Sequence, residues 1–332
     1  MHTLILYIVL LICLISISSS ENYEHENFHG HTEEAHINKI MSLPGVPQEL
    51  LDHHKDQRKK LFKILSSGSC KHLYIDFGTN IGMQIRKLYQ PLKFPGNKIE
   101  QHYKYYFGDD RNSVCSIGFE ANSLHTERLQ KVENYYTYLN FSCVIFTDSV
   151  VHTHLAPVTF YRDDRSPEDK HEWGASILIP SGKNSTIIGV DTNNFIHEIY
   201  NIWKLSSNYD RPTSKIFAKM DIEGSEFQVL PTMLTRGSLC LISGMSVEWH
   251  FALNKNAPRN FDDILYFITS NSYDCDFWVF NEDDETYMNN EEPIPDFPSR
   301  MLQLYSNFIF SVRRFLLTPS SKIQQTIFLA KK

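Results

Sequence analysis

The stretch Leu73-Tyr74-Ile75-Asp76-Phe77-Gly78-Thr79-Asn80-Ile81-Gly82 decides the fold of this chain. It predicts a short buried strand that ends in an acid, followed by a turn with two glycines. The next segment, Met83 to Tyr89, is amphipathic and predicts a helix. A strand that leads into a glycine-rich turn and a helix is how α/β folds present backbone N–H groups to a nucleotide-like ligand.

Apolar runs elsewhere predict strands that alternate with helices. The expected strands are Val114–Phe119, Phe141–Phe146, Pro157–Tyr161, Ile216–Met220, Leu241–Val247, Cys275–Phe280 and Ser306–Val312. The first expected helix begins after Pro47, and further helices are expected over Asn122–Tyr136, Asn194–Trp203, Glu226–Leu234 and Phe261–Thr269. The Tyr-rich stretch Pro91–Ser113 is expected to be irregular. This alternation predicts a mostly parallel sheet covered by helices on both faces.

Acidic residues follow the ends of five apolar strands: Asp76, Glu120, Asp148, Asp221 and Glu248. In an open α/β sheet the carboxyl ends of the strands line one edge, where ligands bind. One acid in such a place means little, because turns favour Asp. Five acids at successive strand ends predict an acidic binding edge.

The ligand is expected to carry positive charge. The dinucleotide fingerprint G-x-G-x-x-G is absent, and an acid at position 76 is a poor neighbour for a pyrophosphate. S-adenosylmethionine fits, because its amino group and sulfonium are cationic and its ribose diol suits a carboxylate. We expect its amino acid end to bind Asp76 and the turn residues Gly78, Thr79, Asn80 and Gly82, its ribose to bind Glu120, and its adenine amino group to bind Asp148 or Ser149.

Four blocks of this sequence together resemble the FkbM-type methyltransferases. They are Asp76–Gly82, Gly118–Asn122, Lys219–Glu226 and Val247–His250, and the resemblance extends over roughly Lys71 to Val312. The Lys-x-Asp-x-Glu-Gly-x-Glu block is the most specific. The resemblance implies a class I, Rossmann-like methyltransferase fold with a mostly parallel seven-stranded sheet, and an enzyme that uses S-adenosylmethionine, generally for O-methylation.

Methyl transfer is an in-line displacement, so catalysis depends on positioning and, for a hydroxyl acceptor, on a base within hydrogen-bond reach. We expect His250 to accept the proton and Asp221 to orient the acceptor or the base. Glu223 and Glu248 complete the predicted catalytic set, and they can alternatively cap a helix or hold a cation. No dedicated metal site is predicted. His250 can equally be a structural hydrogen-bond partner, and the tyrosines near Tyr103 can form an acceptor wall, a lid or core.

The composition limits the partners and the compartment. The 332 residues carry a net charge of −7 and a pI of about 6.1 without a basic tract, so nucleic acid is not expected as a partner. The run Leu4–Ile17 followed by Ser18-Ser19-Ser20 predicts a signal peptide or a short anchor, so the domain faces the secretory lumen or the outside. Asn140 and Asn184 begin glycosylation sequons, and the six cysteines show no C-x-x-C pair.

The predicted organisation is a signal peptide or anchor over residues 1–20, a polar His-rich stem over 21–46, a helix within 47–69, a methyltransferase domain over 70–316 and a tail over 317–332. The leading hypothesis is a secreted or lumenal O-methyltransferase whose acceptor is a glycan, lipid or small molecule. Contact with a membrane is expected only if the N-terminal segment is uncleaved. The rivals are a secreted binding protein that kept the fold without the reaction and, less favoured, a nicotinamide dehydrogenase.

Overall fold

A computed structural model of the protein describes residues 43–163, 172, 174–180, 183–252, 261–269, 277–281, 284, 286–287 and 293–294. The chain divides into two units at residue 293, and only Pro293 and Ile294 of the second unit are described. All elements below belong to the first unit. The predicted signal peptide, most of the stem, Trp173, Cys275, the strand Ser306–Val312 and the tail lie outside the described residues.

Nine strands are described in the chain. They are β1 (His72–Phe77), β2 (Val114–Phe119), β3 (Ser142–Phe146), β4 (Ser149–His152), β5 (Ala156–Tyr161), β6 (Asn184–Asp191), β7 (Ile216–Met220), β8 (Gly244–Val247) and β9 (Trp278–Asn281). The described helices are α1 (Gln48–Ser66), α2 (Met83–Tyr89), α3 (Glu100–Phe107), α4 (Thr126–Tyr138), α5 (Thr192–Trp203), α6 (Glu226–Thr235) and α7 (Phe261–Thr269), with short 3₁₀ turns at Pro91–Lys93, Arg111–Ser113, Ser123–His125 and Ser238–Leu241.

The main sheet has six described strands in the order β3-β2-β1-β7-β8-β9, and every pair in it is parallel. All six residues of β1 and all six of β2 are buried, as a parallel sheet with helices on both faces requires. The order reverses at β1, which lies between β2 and β7. This confirms the predicted Rossmann-like α/β fold, and it puts the Gly78–Gly82 turn at the switch point where such sheets bind ligands.

A second sheet departs from the prediction of one sheet. It has the order β4-β6-β5, with β4 parallel and β5 antiparallel to β6. The extra strand predicted at Pro157–Tyr161 is confirmed as β5, but β4 and β6 were missed. β4 has only four residues and starts directly after Asp148, whose positive φ of 52° turns the chain out of β3. Such a short strand carries no periodicity that sequence can reveal.

The prediction that Pro91–Ser113 is irregular is wrong for its centre, which forms α3. His102, Tyr103, Tyr106 and Phe107 are buried on one face of this helix, whereas Tyr105 on the other face is 78% exposed. The rings of Tyr103 and Tyr106 pack at 6.1 and 4.8 Å from the ring of Phe217 in β7. Of the three roles considered for these tyrosines, Tyr103 and Tyr106 therefore serve core packing.

Helix α1 is fastened to the main domain by buried polar contacts. Arg58, only 2% exposed, donates to Glu198 of α5 at 2.5 Å. The imidazole of His54 lies 3.1 Å from the hydroxyl of Ser149. The confirmed helix after Pro47 is thus part of the fold, and it supports the start of β4.

A disulfide bond joins Cys70 to Cys115, linking the residues before β1 to β2. Cys240 is also disulfide-bonded, and Cys143 is the free cysteine among the described residues, where it is buried. Within the described part of the chain, no helix is both long enough and apolar enough to cross a membrane.

His72 at the start of β1 should make stability depend on pH. Its Nδ1 accepts a hydrogen bond from the backbone N–H of Lys215 at 3.3 Å, which requires a neutral ring. Burial, aided by the charge of Lys71, lowers the pKa of His72 to about 4. The unfolded chain takes up this proton near pH 6.5, so the contribution is full above that pH and is lost as pH falls toward 4.

We expect the urea midpoint to fall between pH 7 and pH 5, and to fall less in His72→Asn, whose amide oxygen can still accept from Lys215. Between pH 7 and pH 5, the free energy of unfolding should fall by on the order of 1 kcal/mol more in the wild type than in His72→Asn. Equal drops in the two proteins would contradict this prediction.

Candidate active site

A cavity of about 220 Å³ opens at the carboxyl ends of the strands of the main sheet. Three of the five predicted acids line it: Glu120, Asp221 and Glu248. Of the other predicted residues, Gly78, Asn80, Ser149 and Glu223 line it as well. The structure therefore brings most of the predicted site together around one cavity, and the remaining wall comes from Phe119, Ala121, Asn122, His125, Val150, Val151, Phe160, Glu172, Ala175, Ser176, Ile177, Ile222 and Ser225.

The turn after β1 is pressed against the loop after β7. Gly78 has a φ of +91°, and a Cβ on it would meet the backbone oxygen of Asp221 at 1.8 Å. The N–H of Asp221 donates to the carbonyl of Phe77 at 2.9 Å. Only glycine permits this approach, which explains why the first glycine of the turn is needed.

Glu120 connects the same turn to the end of β2. One of its carboxylate oxygens accepts from the N–H of Asn80 at 2.6 Å and the other accepts from the N–H of Asn122 at 2.7 Å. A carboxylate has about four acceptor positions, so each oxygen can take a further hydrogen bond from a ligand. Glu120 is 7% exposed and faces the cavity.

His125 lines the cavity and was not predicted. It is 4% exposed, its Nδ1 lies 3.6 Å from Glu120, and neither ring nitrogen has a hydrogen-bond partner among the described residues. The carbonyl oxygen of the Asn80 side chain is also buried without such a partner. Buried polar groups are normally satisfied, so these atoms indicate a polar ligand. The sequence signal for His125 was its position five residues after Glu120, at the start of a helix.

Asp76 lies in the strand and not at the surface of the cavity. It is fully buried, accepts from the hydroxyl of Tyr74 at 3.3 Å, and does not line the cavity. Burial raises the pKa of Asp76 to about 7, although the charge of Lys219 opposes the rise. Asp76 therefore lies inside β1, next to the turn, and not on the wall of the cavity.

Thr79 and Gly82 also shape the turn without lining the cavity. The hydroxyl of Thr79 donates to the carbonyl of Asp76 at 3.1 Å. Gly82 has a φ of +84°, and a Cβ on it would lie 3.2 Å from Val132 of α4. These two residues fold the turn back on its strand and allow α4 to pack closely.

Asp148 and Ser149, the alternatives for the adenine, are separated by the structure. Ser149 lines the cavity, and its hydroxyl donates to the carbonyl of Thr147 at 3.1 Å. Asp148 accepts from the hydroxyl of Thr126 at 3.1 Å and is not among the lining residues. Ser149 is therefore the one in position to meet a ligand.

The loop after β7 carries the second half of the site. Lys219, 3% exposed, donates to Asp221 at 2.7 Å. Burial by itself would lower the pKa of Lys219, but the carboxylates of Asp221 and Asp76 raise it above its usual value. Lys219 therefore holds the carboxyl group of Asp221 in place at the edge of the cavity.

His250 is surrounded by carboxylates. Its Nε2 lies 3.7 Å from Asp221, 3.5 Å from Glu223 and 3.6 Å from Glu248. Burial would lower the pKa of His250, but Glu223 and Glu226 raise it to about 11. The predicted catalytic residues Asp221, Glu223, Glu248 and His250 thus form one cluster.

Glu226 sets the position of His250. It is 0% exposed, and one oxygen accepts from the backbone N–H of His250 at 2.7 Å and lies 3.1 Å from its Nδ1. The other oxygen accepts from the N–H of Gly224 at 2.9 Å. This acid therefore forms a buried link between α6 and the end of β8.

A loop beyond β5 covers the other side of the cavity. Glu172 accepts from Arg162 and from the side chain of Asn122, the latter at 3.1 Å. The hydroxyl of Ser176 donates to the carbonyl of Glu223 at 3.0 Å. Sequence reasoning missed Glu172 and Ser176, because their role depends on a loop that returns to the sheet edge.

The sequence model of a protein family, the methyltransferase FkbM domain, matches residues 76–275 of this chain. The match starts at Asp76 and includes Glu120, Asp221 and His250, so it covers the whole cavity edge just described. The chain therefore belongs to the FkbM methyltransferase family. No curated protein and no solved structure matches it.

The close approach at Gly78 can be tested against a second glycine. In Gly78→Ala the new methyl group meets the carbonyl of Asp221, so the turn must move away from the β7 loop. We expect a loss of more than ~2 kcal/mol in unfolding free energy, measured by urea denaturation.

The control is Gly96→Ala, because Gly96 has a similar φ of +80° with nothing within 4 Å of its added Cβ. The free energy of unfolding of Gly96→Ala should fall only by the cost of placing alanine in a left-handed backbone conformation, on the order of 1 kcal/mol. Equal losses in the two variants would show that the contact with Asp221 is unimportant.

Proposed function

We propose that the protein is an S-adenosylmethionine-dependent O-methyltransferase of the secretory pathway. The single observation that carries the proposal is the cavity edge on which Glu120, set by the Gly78–Gly82 turn, faces the carboxylates of Asp221, Glu223 and Glu248. The family supplies the methyltransferase class. The cofactor, the hydroxyl acceptor and the compartment are our inference.

The residues present fit this cofactor. Glu120 retains acceptor capacity for the two ribose hydroxyls, and the buried, unsatisfied atoms of Asn80 and His125 lie beside it. Phe119, Val150 and Ile177 supply apolar wall for an adenine ring near Ser149. The amino acid end would lie beside Gly78 and Asn80, the residues of the predicted turn that line the cavity.

The volume of the cavity bears on how the cofactor enters. At about 220 Å³ it is below the ~300–1,000 Å³ of typical ligand pockets. The loop residues Ala175 to Ile177 form one wall, and Ser176 is held by a side-chain hydrogen bond to Glu223 and by a backbone bridge to Tyr161 of β5. We infer that this loop shifts outward when the cofactor binds.

Bound S-adenosylmethionine supplies an electrophilic methyl group on its sulfonium. The chain's own residues then have to position the acceptor oxygen in line with it and take its proton. Asp221, held by Lys219, is placed to orient the acceptor. The sequence predicts His250 as the proton acceptor, but the carboxylates around it raise its pKa to about 11, so its ring already carries a proton at neutral pH. Glu223, whose pKa burial raises, is therefore the proton acceptor in this cluster.

Three observations support the secretory pathway. The bond between Cys70 and Cys115 fits an oxidising compartment. Asn140 and Asn184, which begin the sequons, are both exposed, so both can carry a glycan. The apolar segment Leu4–Ile17 suits a signal peptide or anchor. This compartment favours a glycan as acceptor over a cytosolic metabolite, with a lipid or small molecule as alternatives.

The rival proposal is a secreted binding protein that kept the fold and lost the reaction. It predicts cofactor or ligand binding without transfer. The Lys219–Asp221 pair and the buried Glu226–His250 contact speak against it, because a binding protein has no need to hold ionised groups at the reacting edge.

Calorimetry with S-adenosylmethionine tests the core of the proposal. The wild type should bind the cofactor, and Glu120→Ala should bind it at least tenfold more weakly, because the ribose loses its acceptor and the turn loses its tie to β2. Glu127→Gln is the matched control, since this carboxylate is 83% exposed on α4 and should leave affinity unchanged. No binding by the folded wild type, or equal binding by Glu120→Ala, removes the proposal.

Loss of His250 should separate binding from transfer. We expect His250→Ala to keep its affinity for S-adenosylmethionine and to lose methyl transfer by at least ~100-fold, because the imidazole positions the carboxylate of Glu223 that takes the proton. Transfer is measured with methyl-labelled cofactor on a panel of methyl glycosides and simple alcohols. Turnover equal to that of the wild type would take His250 out of the reaction.

A further inference from the structure

Four possible metal donors converge at one point: Nε2 of His250 and the carboxylates of Asp221, Glu223 and Glu248. One oxygen each of Asp221, Glu223 and Glu248 lies 3.5 to 3.7 Å from this Nε2. The ligand atoms of Asp221, Glu223 and His250 all lie within 4.8 Å of one another. The three carboxylates also line the cavity, so the centre of the group faces the ligand space.

These distances fit a shared ion better than a set of hydrogen bonds. A hydrogen bond from N–H to oxygen has a length of ~2.7–3.2 Å, which is shorter than all three separations. Donor atoms ~2.1 Å from one cation and arranged tetrahedrally around it are ~3.4 Å apart. The observed separations of 3.5 to 3.7 Å leave the space that such an ion requires.

The surroundings of His250 match those of a histidine that binds metal. Ligating histidines usually have their second ring nitrogen held by a carboxylate or a carbonyl, which fixes the ring orientation. Glu226, which is fully buried, lies 3.1 Å from Nδ1 and leaves Nε2 pointing to the carboxylates. Glu226 is thus a positioning residue and not one of the donors.

The hydroxyl of Ser225 is an independent sign of a missing ligand. Ser225 is 3% exposed and lines the cavity together with Asp221, Glu223 and Glu248. Its Oγ is buried without a hydrogen-bond partner among the described residues. A buried hydroxyl normally finds a partner, so a bound ion or its water is expected next to it.

Charge also favours a cation. The carboxylates of Asp221, Glu223, Glu226 and Glu248 meet within this small volume around His250, and Lys219 pairs with Asp221. Carboxylates so close together repel one another unless positive charge lies between them. A proton on His250 supplies one such charge, and a divalent ion supplies two.

We propose that Asp221, Glu223, Glu248 and His250 bind a divalent cation at the edge of the cavity. One imidazole with three carboxylates is a donor set that suits Mn²⁺ or Zn²⁺ better than Ca²⁺, which prefers oxygen alone. The sequence prediction assigned no metal site, although it left open that Glu223 and Glu248 hold a cation. The role of the ion rests on the proposed function: it would bind the acceptor hydroxyl and lower its pKa, and the proton would pass to the carboxylate oxygen of Glu223 that does not bind the ion.

The experiment uses the purified, folded full chain, stripped of metal with EDTA and titrated with Mn²⁺. Electron paramagnetic resonance measures the free ion, and we expect the wild type to bind one equivalent. Glu223→Gln should weaken binding at least tenfold, because a neutral amide replaces a charged donor. In pulsed measurements the bound ion should show coupling to an imidazole nitrogen, and His250→Asn should abolish that coupling.

Glu172→Gln is the control, because Glu172 is a carboxylate that lines the same cavity outside the proposed donor set. It should leave Mn²⁺ affinity unchanged, and circular dichroism confirms that each variant is folded. No Mn²⁺ binding by the wild type would show that the protonated imidazole alone neutralises the cluster, which overturns the proposal. Equal affinity in wild type and Glu223→Gln, or no nitrogen coupling in the wild type, overturns it as well.

Cofactor binding is measured separately in the same proteins. The titration with Mn²⁺ needs no S-adenosylmethionine, so a metal site found without cofactor binding would remove the proposed function and leave the site. Cofactor binding without Mn²⁺ binding would remove the site and leave the proposed function.

Discussion

The contact between the Gly78 turn and the backbone of Asp221 is the constraint on which the site depends. The N–H of Asp221 continues the ladder of β1 by donating to Phe77, while Gly78 passes so close to the carbonyl of Asp221 that a methyl group has no room. The turn that shapes one end of the cavity and the loop that carries the predicted catalytic acids are therefore one rigid junction. A movement of either would displace the other, because interiors packed this tightly transmit strain.

Negative charge is concentrated in the loops after β7 and β8, around His250. Asp221, Glu223, Glu226 and Glu248 all lie around His250, and the backbone arrangement that holds them there is unusual, since Glu223 and Gly224 both have positive φ, at 52° and 94°. Strained backbone at an acidic cluster is typical of functional sites, where the surrounding structure has to compensate for it. Here the compensation includes the buried hydrogen bonds of Glu226 to Gly224 and His250. Folding alone does not require this backbone strain at Glu223 and Gly224.

Much of this arrangement was predictable, for a physical reason. Strands β1, β2 and β7 were predicted with bounds at or within a residue of those observed, because buried parallel strands are continuous apolar runs with sharp polar ends. Helices α2 and α7 were predicted with their observed bounds. Strands β4 and β6 of the second sheet and helix α3 were not predicted, since β4 is too short to show a period and the buried tyrosines of α3 resemble exposed ones in sequence.

By itself, the sequence determined that the strands of the main sheet alternate with helices and that Glu120, Asp221 and Glu248 lie at one edge of this sheet, because parallel strands all point their carboxyl ends the same way. Only the tertiary structure decided which acids face the cavity and which are buried beneath it. Asp76, near the end of β1, and Asp148, just beyond β3, resemble Glu120 in sequence, yet they contact Tyr74 and Thr126. His125, Glu172 and Ser225 join the site for the same reason: a side chain's direction depends on neighbours that are distant in sequence, and no local pattern encodes those neighbours.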